Sequence, residues 1–166
     1  MQKYEIEGPW PGELAIIPRP RGGDWLDDEI TAVKHAGFDL MVSLLTPEEA
    51  EELGLTGEAE AFGNSGLQFC SFPIPDLGVP VSRESATKFL ETLHQRLLAG
   101  KKIAIHCRGS IGRSGLVASS LLVMSGLDPL QAFDQVTAVR GFSAPETAEQ
   151  RDWVVTLSVE PAKSLT

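Results

Sequence analysis

Lys102-Ile103-Ala104-Ile105-His106-Cys107-Arg108-Gly109-Ser110-Ile111-Gly112-Arg113-Ser114-Gly115-Leu116-Val117-Ala118 is the stretch whose reading decides the fold. Residues 102–105 form a short apolar run that reads as a buried strand. Residues 115–124 are small and apolar, and they read as a buried helix. A tight loop, 106–114, joins the two. A loop that enters a helix presents free backbone N–H groups and the positive end of the helix dipole, which together bind an anion. Such surroundings favour the thiolate form of a cysteine, so Cys107 is expected to act as a nucleophile on a bound phosphoryl group. Arg113 supplies a planar fork of donors that holds two phosphate oxygens and matches their charge in the transition state. Gly109 and Gly112 allow the backbone to wrap inward around that phosphate.

His106, Cys107, Arg113 and Ser114 together resemble the cysteine-based protein-tyrosine and dual-specificity phosphatases, whose signature is His-Cys-x5-Arg-Ser/Thr. The resemblance implies a phosphate-binding loop made of Arg108, Gly109, Ser110, Ile111, Gly112 and Arg113. It also implies a general acid on a loop upstream. Asp76, in Phe72-Pro73-Ile74-Pro75-Asp76-Leu77-Gly78-Val79-Pro80, lies 31 residues before Cys107 and fits that role. The family reaction has two steps: Cys107 attacks phosphorus while Asp76 protonates the leaving oxygen, then water hydrolyses the phosphocysteine with Asp76 as base. Ser114 is implied as the donor to the departing sulfur, and His106 as the residue that orders the loop.

The family places its hydrolytic water with a segment written Gln-Thr-x-x-Gln. This chain has Glu146-Thr147-Ala148-Glu149-Gln150, so Gln150 matches and Glu146 departs. Ser143-Ala144-Pro145-Glu146 also reads as a capping box that opens the last helix, and both roles stand for Glu146. No metal and no cofactor are implied.

The pattern along the chain predicts an α/β fold: three layers, with a mostly parallel central sheet flanked by helices. Strands are predicted over 13–17, 39–45 and 67–72, besides 102–105. Helices are predicted over 25–36, after the capping box Thr46-Pro47-Glu48-Glu49, and after the cap Ser82. Another opens at Asp128-Pro129 with Phe133, Val136 and Val139 inward, and the last runs from 145 to 158 with Trp153, Val154 and Leu157 inward. Residues 54–66, with several glycines and acids, are expected to wander on the surface. The active loop then falls at the carboxyl end of a strand, where open α/β sheets bind ligands.

At 166 residues the chain is expected to form a single catalytic domain over 1–166, with a monomer as the working form. No apolar run of membrane-spanning length occurs, and the N-terminus lacks the apolar core of a signal peptide. Two cysteines, Cys70 and Cys107, are too few for a disulfide scaffold and suit a reducing, cytoplasmic setting. Cys70 reads as a core residue, or as a disulfide partner for an oxidised Cys107. A net charge of −9 with no basic cluster beyond Arg19-Pro20-Arg21 argues against nucleic acid and membrane surfaces as partners. Those arginines are expected in surface ion pairs, or at the rim of the cleft facing a phosphopeptide.

The loop contains Arg108 but no lysine, unlike relatives that act on polyphosphorylated inositol lipids. The resemblance therefore points to a phosphorylated protein or peptide as substrate, at phosphotyrosine, phosphoserine or phosphothreonine. A phosphatase of inositol phosphates, phosphoinositides or another small molecule is the alternative. A second is a pseudophosphatase that binds phosphate without turnover, against which stand Cys107, Arg113, Asp76 and Ser114 together.

Overall fold

Strand β5 (Lys102–His106) runs through the middle of a five-stranded sheet in the computed structural model, which describes residues 1–158. Its two neighbours, β2 (Glu13–Ile16) and β3 (Leu40–Ser43), are both parallel to it, so that Ile103 lies opposite Leu14 and Leu40. β4 (Gln68–Ser71) extends the sheet in parallel beyond β3. β1 (Tyr4–Ile6) closes the far edge antiparallel to β2, and the order is β1-β2-β5-β3-β4. The sequence does not signal β1. Three residues are too few for alternation to register.

Both faces of the sheet are apolar because helices cover both. Successive strand residues point to opposite faces. Leu14 and Ile16, Leu40 and Val42, and Ile103 and Ile105 share one face, packed with residues of α4 (Arg83–Leu98), α5 (Gly112–Met124), α6 (Pro129–Arg140) and α7 (Ala148–Ser158). Ala15, Met41 and Ala104 turn to the other face and meet Ile30 and Val33 of α1 (Leu26–His35) and Phe62 of α3 (Glu58–Asn64). The result is the three-layer, mostly parallel arrangement that the sequence predicts. Helix α5 packs against α4, α6 and α7, and every residue from Gly112 to Val123 is buried. The helix that begins at the loop is thus the centre of its layer.

Helix ends follow the predicted caps in most places. Thr46 and Glu49 form the reciprocal capping box of α2 (Pro47–Glu52), Ser82 Oγ accepts from Ser85 N–H at 3.2 Å, and Asp128 accepts from Leu130 N–H at 3.1 Å. Gly141 ends α6 at φ 78°, in the left-handed region.

Three expectations fail. Residues 58–64, placed on the surface by sequence, form α3, with Glu58 and Phe62 buried and Phe62 stacked on Phe69 at 5.7 Å between ring centroids. Val139 is 36% exposed, and the inward position after Val136 belongs instead to Arg140, one full turn along. Helix α7 starts at Ala148 rather than near Pro145, because its cap is Thr147 and not Ser143.

Candidate active site

The loop between β5 and α5 is held from outside at three points. Ser110 takes φ 56°, a left-handed conformation that costs a residue other than glycine, and its surroundings enforce it. Its hydroxyl donates to the Ile17 carbonyl at 2.7 Å, while its own carbonyl accepts from Arg140 Nε at 2.8 Å. Arg140 in turn lies 4.0 Å above the Tyr4 ring. From another side, Arg19 Nη1 donates to the Arg108 carbonyl at 2.8 Å. With its back thus fixed, the loop folds around Cys107, whose Sγ accepts from Ser110 N–H at 3.1 Å. Ile111, the first residue before α5, provides no side-chain cap, so the free N–H groups of that helix start are left for an anion. Cys107, Arg113, Asp76, Glu146 and Gln150 line a hollow of ≈ 60 Å³ at this point.

Arg113 is 2% exposed and rigidly clamped. Its two terminal nitrogens meet the two Glu49 oxygens at 2.6 and 2.8 Å, Nη1 also donates to the Ile74 carbonyl at 2.9 Å, and Nη2 reaches Asp76 at 3.2 Å. Burial works against the guanidinium charge. Its hydrogen bonds to Glu49 and the neighbouring Cys107, Glu49 and Asp76 charges outweigh that and raise its pKa above the ordinary value. Glu49 is held down to about 2, first by the Arg113 hydrogen bonds, against an opposing cost of burial and with help from Thr46. The pair is therefore a fixed ion pair with one cation edge toward the hollow. Asp76, by contrast, has a side chain that is 56% exposed.

Deeper in, His106 Nε2 pairs with Glu58 Oε2 at 2.7 Å, both side chains nearly fully buried. This contact ties the end of β5 to α3. Ser114 Oγ is buried with no hydrogen-bond partner among the described residues.

The last loop approaches the hollow across Gly112. A Cβ at that glycine would stand 3.0 Å from Gln150 Oε1 and 3.1 Å from Glu146 Oε2, so the absent side chain is what lets the two segments meet. Gln150 Oε1 accepts from the N–H groups of Glu146 and Thr147 at 3.0 and 3.1 Å, and Nε2 donates to the Gly78 carbonyl at 3.1 Å. Thr147 Oγ1 accepts from Gln150 N–H at 3.1 Å. Thr147 and Gln150 thus make the capping box that Ser143 and Glu146 were expected to make. The carboxylate of Glu146 is left at the hollow.

A family model described as a Swiss Army Knife protein, DSP-PTPase phosphatase domain, matches residues 10–158. The chain belongs to this family. Among curated relatives, cyclin-dependent kinase inhibitor 3 of Mus musculus is 40% identical over 123 residues, and that of Rattus norvegicus 31% identical over 124. Each match covers 74% of this chain and 58% of the relative, so the chain spans under two thirds of their length. The crystal structure of Tk-PTP in the active form has a TM-score of 0.76 at 30% identity, covering 94% of this chain and 95% of that one. A variant of kinase associated phosphatase with its catalytic-site cysteine changed to serine reaches a TM-score of 0.88 at 22% identity, over 95% and 93% of the two chains, and shares the fold.

Of the residues named from sequence for this DSP-PTPase domain, Cys107, Gly109, Ile111, Gly112, Arg113, Asp76, Glu146 and Gln150 surround one hollow. Arg108 and Ser110 face away: the Arg108 side chain pairs with Glu52 at 3.1 Å, and the Ser110 hydroxyl is spent on Ile17. Three residues with a hand in the site went unassigned: Glu49 clamps Arg113, Glu58 holds His106, and Arg140 pins the loop. Arg19, expected in a surface ion pair or at the rim of the cleft, donates to the Arg108 carbonyl. Glu49 alone had a local signal, its place in the capping box, and that signal pointed to a helix cap only.

Proposed function

We propose that the protein is a phosphoric monoester hydrolase acting on phosphotyrosine, phosphoserine or phosphothreonine of proteins, through a phosphocysteine intermediate. The observation that carries this is the buried Cys107 at the uncapped start of α5, faced by the clamped Arg113 and by a half-exposed Asp76. A phosphoryl group that enters the hollow takes the loop N–H groups and the edge of Arg113 that meets Asp76. One of its oxygens arriving at Nη2 replaces Asp76, which is half exposed and free to turn toward the leaving oxygen. The Cys107 thiolate then forms the S–P bond as the O–P bond breaks, and the proton of Asp76 goes to the departing oxygen. In the second step water attacks phosphorus, Asp76 takes its proton, and the sulfur leaves as thiolate. Ser114 Oγ, buried and otherwise unpartnered among the described residues, supports its role as the donor to that sulfur.

Gln150 spends its side-chain oxygen on two backbone N–H groups, so we assign the placing of the water to Glu146. The nucleophile must stay reduced, which suits the cytoplasm, and both cysteines are free. The working unit is a single catalytic domain acting as a monomer on phosphorylated proteins. Among the described residues no helix is long and apolar enough to cross a membrane.

Kinetics on a phosphopeptide and on an aryl phosphate test the reading. Cys107→Ser is expected to abolish turnover while retaining phosphopeptide binding, and Asp76→Asn to slow turnover by about 10² to 10⁴, the usual worth of a general acid. Near-wild-type turnover by Cys107→Ser would overturn the nucleophile assignment. Faster hydrolysis of inositol phosphates than of phosphopeptides would move the substrate class to small molecules.

A further inference from the structure

Beside the phosphate hollow runs a second, wider groove of ≈ 600 Å³, lined by Arg19, Arg21, Trp25, Arg108 and Gly109. Gly109 lines the hollow as well, so one residue's width of wall separates the two spaces. Three arginines converge there on a chain of net charge −9. Arg21 is compensated by Glu29 at 2.8 Å, and Arg108 by Glu52 at 3.1 Å. Arg19 has no carboxylate within salt-bridge distance among the described residues. Its one hydrogen bond, to the Arg108 carbonyl, fixes the guanidinium in place and leaves its other donors open.

The segment that carries Arg19 is built to hold still. Pro20 is buried, and a Cβ at Gly22 would stand 2.5 Å from the carbonyl oxygens of Leu53 and Gly54, which marks tight backbone packing against the end of α2. Trp25, 54% exposed, forms an apolar floor with the Arg21 guanidinium 4.2 Å above its ring. A positioned, uncompensated cation beside a flat apolar surface fits an anionic side chain together with the peptide backbone that carries it.

We propose that this groove is a second anion subsite, in which Arg19 reads an acidic group next to the phosphorylated residue of a peptide substrate. The proposal rests on the phosphatase reading above. It adds specificity to that reading: acidic-flanked phosphosites are preferred over neutral ones.

The test is a ratio, kcat/KM for a phosphopeptide with aspartate on both sides of the phosphoresidue over that for the same peptide with alanine there. The expected wild-type ratio is about tenfold or more, the worth of one charge-assisted hydrogen bond. Arg19→Ala is expected to bring it near one. Because the ratio is taken within each protein, any effect of Arg19→Ala on the loop through the Arg108 carbonyl cancels. Arg21→Gln lowers the ratio partly, and added salt lowers it in the wild type. A third peptide, with phosphoserine in place of the flanking aspartate, shows which anion the subsite favours, and either order supports it. A wild-type ratio near one with brisk turnover, or a ratio unchanged in Arg19→Ala, overturns the subsite alone. If the wild type turns over no phosphate ester, the phosphatase reading falls. Binding of the aspartate and alanine peptides to Cys107→Ser protein then still reads the subsite, with the same preference expected and its absence refuting it.

Discussion

Glu49 is the residue on which the usefulness of Arg113 depends. A guanidinium 2% exposed is costly without a partner, and the bidentate Glu49 pair with the Ile74 carbonyl supplies one. Truncation by Glu49→Ala leaves that buried charge with only the half-exposed Asp76 and the Ile74 carbonyl, and is expected to cost about 3 kcal/mol of stability by urea unfolding. The pair also has a pH signature. Glu49 sits at about 2 against an ordinary 4.5, so its ionised form contributes about 3 kcal/mol at neutral pH. A depressed carboxyl gives its full contribution above 4.5 and loses it as pH falls through about 2. Thermal midpoints measured down this window are expected to drop more steeply for the wild type than for Glu49→Gln. Parallel curves for the two proteins would remove the ion pair from the account. The same residue marks where sequence stops being informative. As a helix cap Glu49 speaks to Thr46, three positions away, but as a clamp it speaks to Arg113, 64 positions away, and no local pattern records that. Glu58 and His106, 48 apart, are hidden for the same reason.

At the scale of elements, the strand, loop and helix around Cys107 were legible because each carries its own local chemistry: an apolar run, glycines before an arginine, then a long apolar helix. Helix α2 was legible through its capping box and α6 through Asp128-Pro129 and Gly141. Helix α3 was not, since a seven-residue helix held by one phenylalanine and one buried carboxylate has no periodicity to read. The start of α7 was misplaced because the sequence offers two consecutive capping boxes, Ser143 with Glu146 and Thr147 with Gln150, and it is the second that forms, with Gln150 packed against Gly78 and Gly112. That packing makes Gly112 a sensitive position. Gly112→Ala inserts a methyl 3.0–3.1 Å from the Gln150 amide and Glu146 Oε2, pushing the last loop back. The helix itself gains up to about 1 kcal/mol from alanine, so stability is expected to change little. Water placement suffers instead. Rapid-quench kinetics on an aryl phosphate should show the first turnover preserved as a burst and the steady-state rate reduced, with phosphocysteine accumulating; an unaltered steady state would free Glu146 of its role.

The whole molecule covers its sheet unequally, and the site straddles the difference. On one face α4, α5, α6 and α7 bury a large continuous cluster around Ile103, Ile105, Leu116 and Leu121. On the other, α1 and α3, ten and seven residues long, cover Ala15, Met41 and Ala104 with a few side chains such as Ile30, Val33 and Phe62. Local opening is cheapest where few apolar contacts must be broken, which is the side of α3. Cys107 and Arg113 hang from the thick side through β5 and α5, whereas His106 depends on Glu58 from the thin one. The loop should therefore lose order before the sheet does. In native-state hydrogen exchange, amides of β5 and α5 are expected to exchange only through global unfolding, and those of α3 through smaller openings at lower denaturant. Activity should fall along with α3, ahead of the far-UV circular dichroism transition. Glu58→Gln, which removes the charge but keeps the shape, should widen that gap. If activity, α3 exchange and the far-UV signal all share one midpoint, in the wild type and in Glu58→Gln alike, the two layers unfold as one unit and His106 gains nothing specific from α3.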